Sequence, residues 1–383
     1  MALDTQTLDL LLETIRRFVR ERLIPREAEV AESHEVPSEL IAAMRELGLF
    51  GLSIPPEYGG LGLTSEEEVR VAFEMGQTSP AFRTVVATNI GIGSQAIVIA
   101  GTPEQKQHYL PKLAAGEIVG SFALTEPDAG SDAMALRTSA RADGDHFVIN
   151  GTKRYITNAP VAGLFTLMAR TRPERDADAI SCFLVEAGTP GLSLGLPDKK
   201  MGQAGSLTSD VIFENCRVPK SALLGGVEGN GFRTAMKVLD KGRLHIAAVC
   251  VGAAERLIRE SVLFAVDRKQ FGQRIADFQL IQAMIADSQA ESYAARAMVL
   301  DAARLRDRGE KTTVEAACAK MFASEMVGRV ADRAVQIFGG AGYMSDYPVE
   351  RFYRDVRLFR IFEGTTQIQQ LLIARETIKS IAG

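Results

Sequence analysis

The sequence has 383 residues, of which 46% are hydrophobic and 24% charged, and its formal net charge is −4. A chain of this length can form roughly two or three domains that share an extensive core. Acidic and basic residues are interleaved, so the sequence lacks the concentrated basic surface of a nucleic-acid-binding protein.

The first third of the chain has the spacing of helices. Apolar residues repeat at intervals of three and four from Leu8 onward, which places them on one helix face. Further helices are predicted at 37–47 and 65–77, on either side of a Pro- and Gly-rich turn at 55–60. Thr64 and Glu67 have capping-box spacing at the start of the second. We predict an N-terminal helical domain over residues 1–116.

From residue 117 to 228 the pattern changes to short segments rich in β-branched and aromatic residues. Strands are predicted at 146–150, 164–169, 181–185 and 209–213, with Gly, Pro and Asp between them. Asp143-Gly144-Asp145 predicts a hairpin turn before the first of these strands. We therefore predict a middle β domain between two helical regions.

Longer helical segments follow, at 232–267, 276–308, 312–339 and from 366 onward. They are rich in Ala, Leu, Met and Arg, and antiparallel packing into a bundle would bury their apolar faces. The prediction is an α+β, mainly helical protein with a C-terminal helical domain over residues 229–383.

The cysteines and the apolar segments indicate the compartment. The four cysteines lie far apart, and none has CxxC spacing, which favours free thiols over a disulfide framework. Residues 1–20 are charged and amphipathic without a secretory apolar segment. No uninterrupted apolar run approaches the roughly 20 residues that span a bilayer. We expect a cytoplasmic protein without a membrane span.

Motifs of several enzyme classes are absent. The sequence contains no GxxxxGK[ST] phosphate loop and no GxSxG nucleophile elbow. Glycines 339, 340 and 342 follow a predicted helix rather than a strand, unlike a dinucleotide-binding fingerprint. The four histidines lack paired ligand spacing, so no metal site is expected.

Four stretches, in order along essentially the whole chain, resemble the acyl-CoA dehydrogenase family. They are GSFALTEPDAGSD at 120–132, NGTKRYITN at 150–158, DRKQFG at 267–272, and 336–369, which contains QIFGG, RDVR and IFEGTTQIQ. The resemblance implies an N-terminal helical domain, a middle β-barrel-like domain and a C-terminal four-helix bundle.

FAD is the cofactor that this resemblance implies. Hydroxyls and N–H groups of the 125–132 turn could bind a planar heterocycle, and arginine suits a diphosphate. Without the resemblance, residues 125–132 fit a locally hydrogen-bonded turn. Tyr155, where the family commonly has Trp, fits a buried strand aromatic, and Arg268 fits a solvated charge on a helix. The residues implied to hold FAD are Phe122, Leu124, Thr125, Ser131, Tyr155, Thr157, Arg268, Gln270, Phe271, Gln279, Gln336, Gly339, Gly340, Thr365 and Gln367.

Glu363 is the predicted catalytic base. It precedes the last predicted helix, where Thr366 and Gln369 have capping-box spacing. The helix start favours the carboxylate, while burial beside an acyl chain would raise its pKa. Taken alone, Glu363 fits a first-turn glutamate that stabilises the helix better than a base; the family motif makes it the base. The predicted buried stripe of that helix consists of Ile368, Leu371, Leu372 and Ile378.

Position 242 separates two branches of the family. The isovaleryl and long-chain enzymes take their base from a Glu at this position, and Gly242 cannot act as one, so the arrangement is of the straight-chain type. Asp240 and Arg243 match positions that bind the pantetheine and CoA portion, although alone they fit a helix-surface ion pair. Ser131 and Gly364 are also implied to contact the substrate.

Arg83 bears on the acyl group. It matches an arginine that binds the distal carboxylate in glutaryl-CoA dehydrogenases, and a buried arginine is costly unless it meets an anion. The alternatives are an arginine that points to solvent or one paired with a protein carboxylate. The glutaryl enzymes have Glu where Gly76 stands, which puts decarboxylation of the product in doubt.

The resemblance implies one reaction. Glu363 removes the α-proton of an acyl-CoA while the β-hydrogen leaves as hydride to flavin N5, giving a trans-2-enoyl-CoA. The acyl group is expected to be short or medium, with a dicarboxylyl chain such as glutaryl as one option.

The implied partners are an electron-transfer flavoprotein and further copies of the chain, in a homotetramer built as a dimer of dimers. Two alternatives stay open: a non-catalytic binding or assembly protein, and an oxygen-using acyl-CoA oxidase or flavin monooxygenase.

Overall fold

The computed structural model describes residues 2–382, and its first region is helical. The capping box predicted before the fourth helix is present, since Thr64 Oγ1 accepts the Glu67 N–H and the Glu67 carboxylate accepts the Thr64 N–H. Apolar side chains of the first five helices form a core of their own. The helices are α1 (Thr5–Phe18), α2 (Glu27–Ser33), α3 (Ser38–Glu46), α4 (Ser65–Met75), α5 (Pro80–Ile90), α6 (Gln95–Ala100) and α7 (Pro103–Ala114).

The second region is a seven-stranded sheet. Its strands are β1 (Gly120–Ala123), β2 (Ser139–Asp143), β3 (His146–Thr157), β4 (Leu164–Arg170), β5 (Ile180–Glu186), β6 (Leu192–Leu194) and β7 (Thr208–Pro219). The order is β1-β4-β2-β3-β7-β6, with β5 beside β4. The predicted hairpin turn joins β2 to β3, where Asp143 pairs with His146 and Gly144 has φ +59°, a conformation that glycine adopts without strain.

The third region is helical again. It contains α8 (Gly231–Asp267), a hairpin of β8 (Lys269–Gln270) and β9 (Gln273–Arg274), α9 (Gln279–Asp307), α10 (Thr313–Phe338), α11 (Pro348–Val356) and α12 (Thr366–Ala382). The long helices α8, α9 and α10 pack around one apolar core, which α4 also joins, and α12 packs on α10. The predicted architecture of helices, curled sheet and helical bundle is confirmed.

The domain boundaries stay predictions. The chain leaves α7 at Ala114 and enters β1 at Gly120, and it leaves β7 at Pro219 and enters α8 at Gly231. Helix α8 nevertheless packs against β4 and β5 as well as against helices. Helix α8 therefore contacts elements of all three regions.

The start of α12 differs from the prediction. Thr365 Oγ1, rather than Thr366, accepts a helix N–H, that of Ile368 at 3.3 Å, and Thr366 donates to Glu325. The capping box at Thr366 and Gln369 is therefore wrong, because two left-handed residues before the helix change how the chain enters it. Leu371 and Ile378 are 67% and 65% exposed. The predicted buried stripe is wrong at these positions, because α12 packs mainly against α10.

One stretch, Pro80–Ala100, is long and apolar enough to cross a membrane by length and composition. Within it, 67% of the most apolar window is buried inside the protein, and the stretch is divided into α5 and α6. Its apolar side chains pack in the core, which explains its composition.

Candidate active site

Glu363 lies in a turn before α12 whose backbone is unusual. Glu363 has φ +54° and Gly364 has φ +88°, and the left-handed region is uncommon for a residue with a side chain. Gln369 Nε2 donates to the Glu363 and Gly364 carbonyl oxygens, at 3.2 and 3.1 Å. Lys320 Nζ donates to the same Gly364 oxygen at 2.7 Å. Side chains of α10 and α12 therefore hold this turn.

The Glu363 carboxylate is buried against α8. Its Oε2 has no hydrogen-bond partner among the described residues, and a Cβ at Gly242 would lie 2.6 Å from it. The absence of a side chain at Gly242 thus makes room for the carboxylate. Burial raises the pKa of Glu363, and the charges of Arg83, Arg243 and Lys320 oppose that rise. A buried acid with a free oxygen can exchange a proton with a ligand beside it.

Glu363 lines a cavity of about 70 Å³, together with Arg83, Thr157, Gly242 and His245. Arg83 Nε donates to His245 Nε2 at 3.4 Å. Burial lowers the pKa of His245 well below its usual value, and the charges of Arg83 and Lys241 lower it further, so the imidazole is a neutral acceptor.

Arg83 matches neither of the two alternatives that its sequence context left open. It faces the cavity rather than solvent, and no carboxylate of residues 2–382 lies within 4.0 Å of it. Burial lowers the pKa of Arg83 to about 10, although Glu363 opposes this shift, so the guanidinium is charged at neutral pH. The cavity therefore contains a cation that lacks a direct protein counter-ion.

Position 76 is closed to an acidic side chain. A Cβ on Gly76 would lie 2.5 Å from the Val249 carbonyl oxygen of α8 and 3.1 Å from the Gly252 Cα. Such close approach of two helix backbones excludes the glutamate that accompanies decarboxylation in the glutaryl-CoA enzymes.

Six of the residues predicted to hold FAD line a second site, an open groove of about 870 Å³. The groove lies between the β8–β9 hairpin and the end of α10, and these residues are Arg268, Gln270, Phe271, Gln279, Gly339 and Gly340. No carboxylate of residues 2–382 lies within 4.0 Å of Arg268, and Phe271 is 94% exposed. A free guanidinium and an uncovered aromatic ring fit the diphosphate and adenosine of FAD. Gln336 is exposed nearby on α10 but does not line the groove.

Tyr155 lies at a bulge of β3. The register with β7 shifts between Lys153 and Ile156, and at this point Tyr155 has φ +60° and is 63% exposed. The alternative of a buried strand aromatic is therefore wrong. The Arg154 guanidinium lies over one face of the ring, 4.4 Å from its centroid, which leaves the other face for stacking. Thr157 follows on the same strand and lines the Glu363 cavity, which connects the predicted flavin-facing strand to the predicted base.

The predicted flavin loop is tied to the same strand. The Arg154 N–H donates to the Thr125 carbonyl at 2.8 Å, and Lys153 Nζ donates to the Leu124 carbonyl at 3.0 Å. Phe122 and Leu124 are buried, whereas Ser131 is exposed on the loop. None of these loop residues lines the Glu363 cavity.

The remaining predicted residues lie near the cavity without lining it. Asp240 and Arg243 form an ion pair on α8, as the simpler interpretation of their spacing expected, and Arg243 is buried. Thr365 caps α12, and Gln367 is exposed. Their contacts within the chain do not depend on a ligand.

The sequence analysis missed Glu68, Lys200 and Lys241, which line the cavity. It also missed His245 and Lys320. Both lie in apolar runs of long helices, His245 in LHIAAV and Lys320 in EAACAKMFAS. A titratable residue on the buried face of a helix is the signal that would have found them.

Comparisons with known proteins identify the family of the chain. Three family models match the chain in order: Acyl-CoA dehydrogenase, N-terminal domain, over residues 5–117, the middle domain over 121–216 and the C-terminal domain over 229–378. An acryloyl-CoA reductase (NADH) from Anaerotignum propionicum is 44% identical over 377 residues, which are 98% of this chain and 95% of that protein.

Two solved structures are similar over almost the whole chain. Butyryl-CoA dehydrogenase from Megasphaera elsdenii has a TM-score of 0.94 and 33% identity, over 99% of this chain and 100% of that one. A glutaryl-coenzyme A dehydrogenase in complex with glutaryl-CoA has a TM-score of 0.93 and 34% identity, over 99% of this chain and 96% of that one.

Proposed function

The chain belongs to the acyl-CoA dehydrogenase family, and on that premise we propose that Glu363 is the base of its α,β-dehydrogenation of an acyl-CoA. The observation that carries this proposal is the free carboxylate oxygen of Glu363, buried opposite Gly242 in the cavity. A base needs an oxygen that no other donor occupies, in a place where the substrate Cα can reach it.

In this reaction Glu363 takes the proton from Cα of the thioester. Burial raises its pKa toward the value that suits proton transfer, while Arg83, Arg243 and Lys320 keep the carboxylate available. The family's cofactor is FAD, which supplies the hydride acceptor for the β-hydrogen. The turn held by Lys320 and Gln369 fixes the Glu363 backbone, whose N–H is proposed to donate to the thioester oxygen as negative charge develops there.

We propose a short acyl chain that ends in a carboxylate, such as glutaryl. The cavity is small, and it is lined by the Arg83 guanidinium, which has no carboxylate partner among residues 2–382. A substrate carboxylate would supply the missing anion and make charge-assisted bonds. Since position 76 cannot carry an acid, the product is expected to leave without decarboxylation.

Two partners follow from the family. An electron-transfer flavoprotein would take the electrons. Further copies of the chain would complete a homotetramer, because residues 336–340 match the part of the family that reaches a neighbour's FAD. The exposed Phe271, Leu371 and Ile378 support such an assembly, since large apolar side chains are more often covered.

Reduction of a 2-enoyl-CoA is a second candidate function. The relative at 44% identity is an acryloyl-CoA reductase, and the raised pKa of Glu363 also suits an acid that returns a proton to Cα. The same residues serve both directions, so an NADH-dependent assay with the partner flavoprotein decides between them.

The test is anaerobic bleaching of the flavin's visible absorbance by butyryl-, octanoyl-, isobutyryl- and glutaryl-CoA, in the wild type and in Glu363→Gln. Bleaching by glutaryl-CoA, slowed about 10²- to 10⁴-fold in the variant with FAD still bound, is the expected result. Equal rates in both proteins would exclude Glu363 as the base. FAD retention without bleaching by any of the four would exclude the proposed substrates.

A further inference from the structure

Lys320 is a buried cation on α10 with one hydrogen bond. Its side chain has no exposed surface, and its Nζ donates to the Gly364 carbonyl at 2.7 Å. Among residues 2–382, no carboxylate lies within 4.0 Å of that nitrogen. A buried ammonium group is costly unless an anion or several acceptors compensate it, so its retention beside Glu363 needs an explanation.

The charged and titratable groups around Lys320 come from three elements. They are Cys250 and Arg243 of α8, Glu325 of its own helix, and Glu363. Burial raises the pKa of the Cys250 thiol well above its usual value, so it is neutral, and Arg243 is itself a cation.

Of the two acids, Glu325 is already engaged. Its carboxylate lies 3.3 Å from Arg360 Nε and accepts the Thr366 hydroxyl at 2.7 Å. Glu363 has a free oxygen, and the charges of Arg83 of α5, Arg243 of α8 and, less strongly, Lys320 act on it through space. The counter-charge of Lys320 is therefore the carboxylate of the proposed base.

We propose that Lys320 is the positioning residue of Glu363: its Nζ holds the Gly364 carbonyl, and its charge keeps the neighbouring carboxylate ionised without binding it directly. A direct ion pair would occupy the oxygen that must receive the α-proton. Because Lys320 Nζ bonds the Gly364 carbonyl instead, its charge favours the ionised form of Glu363 without a hydrogen bond to either carboxylate oxygen. This inference rests on the proposed role of Glu363.

The variants separate charge from geometry. Lys320→Arg keeps the charge, Lys320→Gln keeps an N–H donor without the charge, and Lys320→Met removes both. Lys311→Gln is the matched control, because Lys311 also joins the α10 region to α12, with its Nζ 2.9 Å from Glu376, and does not act on Glu363.

Two readouts apply to each FAD-loaded variant. The first is the pH dependence of the rate of anaerobic flavin reduction by glutaryl-CoA, or by butyryl-CoA if that ester bleaches the flavin. The second needs no substrate: infrared difference titration of the carboxyl band that is missing in Glu363→Gln. Lys320→Gln is expected to shift both midpoints upward by about one pH unit, and Lys320→Arg and Lys311→Gln by less than about a third of that.

A Lys320→Gln midpoint equal to that of the wild type would overturn the inference. An equal upward shift in Lys311→Gln would also overturn it, since the loss of any nearby lysine would then have the same effect. If Glu363→Gln reduces its flavin as fast as the wild type, the proposed base is wrong. The infrared midpoints still decide separately whether Lys320 acts on the carboxyl.

Discussion

The protein contains two lysines without exposed surface, Lys153 in the sheet and Lys320 in the helical bundle. Each lies near a glutamate, but the pKa values of the two glutamates shift in opposite directions. Lys153 Nζ lies 2.7 Å from Glu126 Oε1 and also bonds the Leu124 carbonyl. Lys320 bonds a carbonyl alone, next to Glu363. Burial lowers the pKa of each lysine to about 8, so the ammonium groups resemble each other and the difference lies in the acids.

The acids differ because of how directly they are bound. Burial alone would raise the pKa of Glu126, but Lys153 and the N–H groups of Arg137 and Thr138 hold it below its usual value. Burial raises the pKa of Glu363, and the charges around it only reduce the rise. Direct bonds favour the ionised form of Glu126, whereas burial shifts Glu363 toward its protonated form.

The largest effect is expected where the direct pair is broken. Glu126→Gln leaves Lys153 buried without an anion, and we expect the free energy of unfolding to fall by about 3–5 kcal/mol. Chemical denaturation at pH 7 measures it. Glu363→Gln is the comparison, and its unfolding free energy is expected to equal or exceed that of the wild type, because it removes a carboxylate that burial disfavours.

The pH dependence of stability has opposite signs at the two acids. Glu126 has a lowered pKa, so its stabilisation is present above the unfolded value of about 4.3 and is lost as pH falls through the folded value. Glu363 has a raised pKa, so its cost is present at neutral pH and is relieved as pH falls through the folded value. Equal destabilisation by both Gln variants would contradict the comparison.

A smaller effect is expected from crowding the free acid. In Gly242→Ala the new Cβ would lie 2.6 Å from Glu363 Oε2, the movable end of a side chain. The carboxylate should shift, and we expect flavin reduction to slow about 10- to 100-fold, since a displacement of about 1 Å has costs of this size. Stopped-flow reduction with FAD bound measures the rate.

Gly252→Ala on the same helix is the control for that variant. Its Cβ would meet the Phe73 carbonyl oxygen at 2.1 Å, which is backbone, so this change is expected to reduce stability instead. If Gly242→Ala lowers the melting temperature as much as Gly252→Ala, crowding at Gly242 acts on the fold and not on the base.

The sequence predicted the elements of this site better than their contacts. The long helices have strong apolar periodicity, and Glu363 is part of a local motif, so both could be found without a structure. The bond between Lys320 and Gly364 joins residues 44 positions apart, and that between Arg83 and His245 spans 162. Such pairs depend on how α5, α8, α10 and the turn before α12 meet, which periodicity does not encode.

The failed prediction at α12 has a physical cause of the same kind. Thr366 and Gln369 have the spacing of a capping box, but the preceding residues adopt positive φ, and Gln369 turns back to their carbonyls. Long-range packing of the turn against Lys320 overrides the local capping preference. The deviation from the local rule occurs where the proposed base is positioned.

Arg83 extends the comparison to a third buried cation, and here the smallest effect is expected. Like Lys320, Arg83 has no carboxylate partner among the described residues, but it lines the cavity, where the proposed substrate would supply one. Arg83→Gln should raise the KM for glutaryl-CoA about tenfold, the value of a charge-assisted bond of roughly 1.4 kcal/mol, and leave that for butyryl-CoA unchanged or lower. His245→Gln keeps an acceptor for the Arg83 Nε and should change the ratio of the two KM values less. Equal loss with both esters in Arg83→Gln would mean that the guanidinium serves Glu363, as Lys320 is proposed to do, and not the acyl chain.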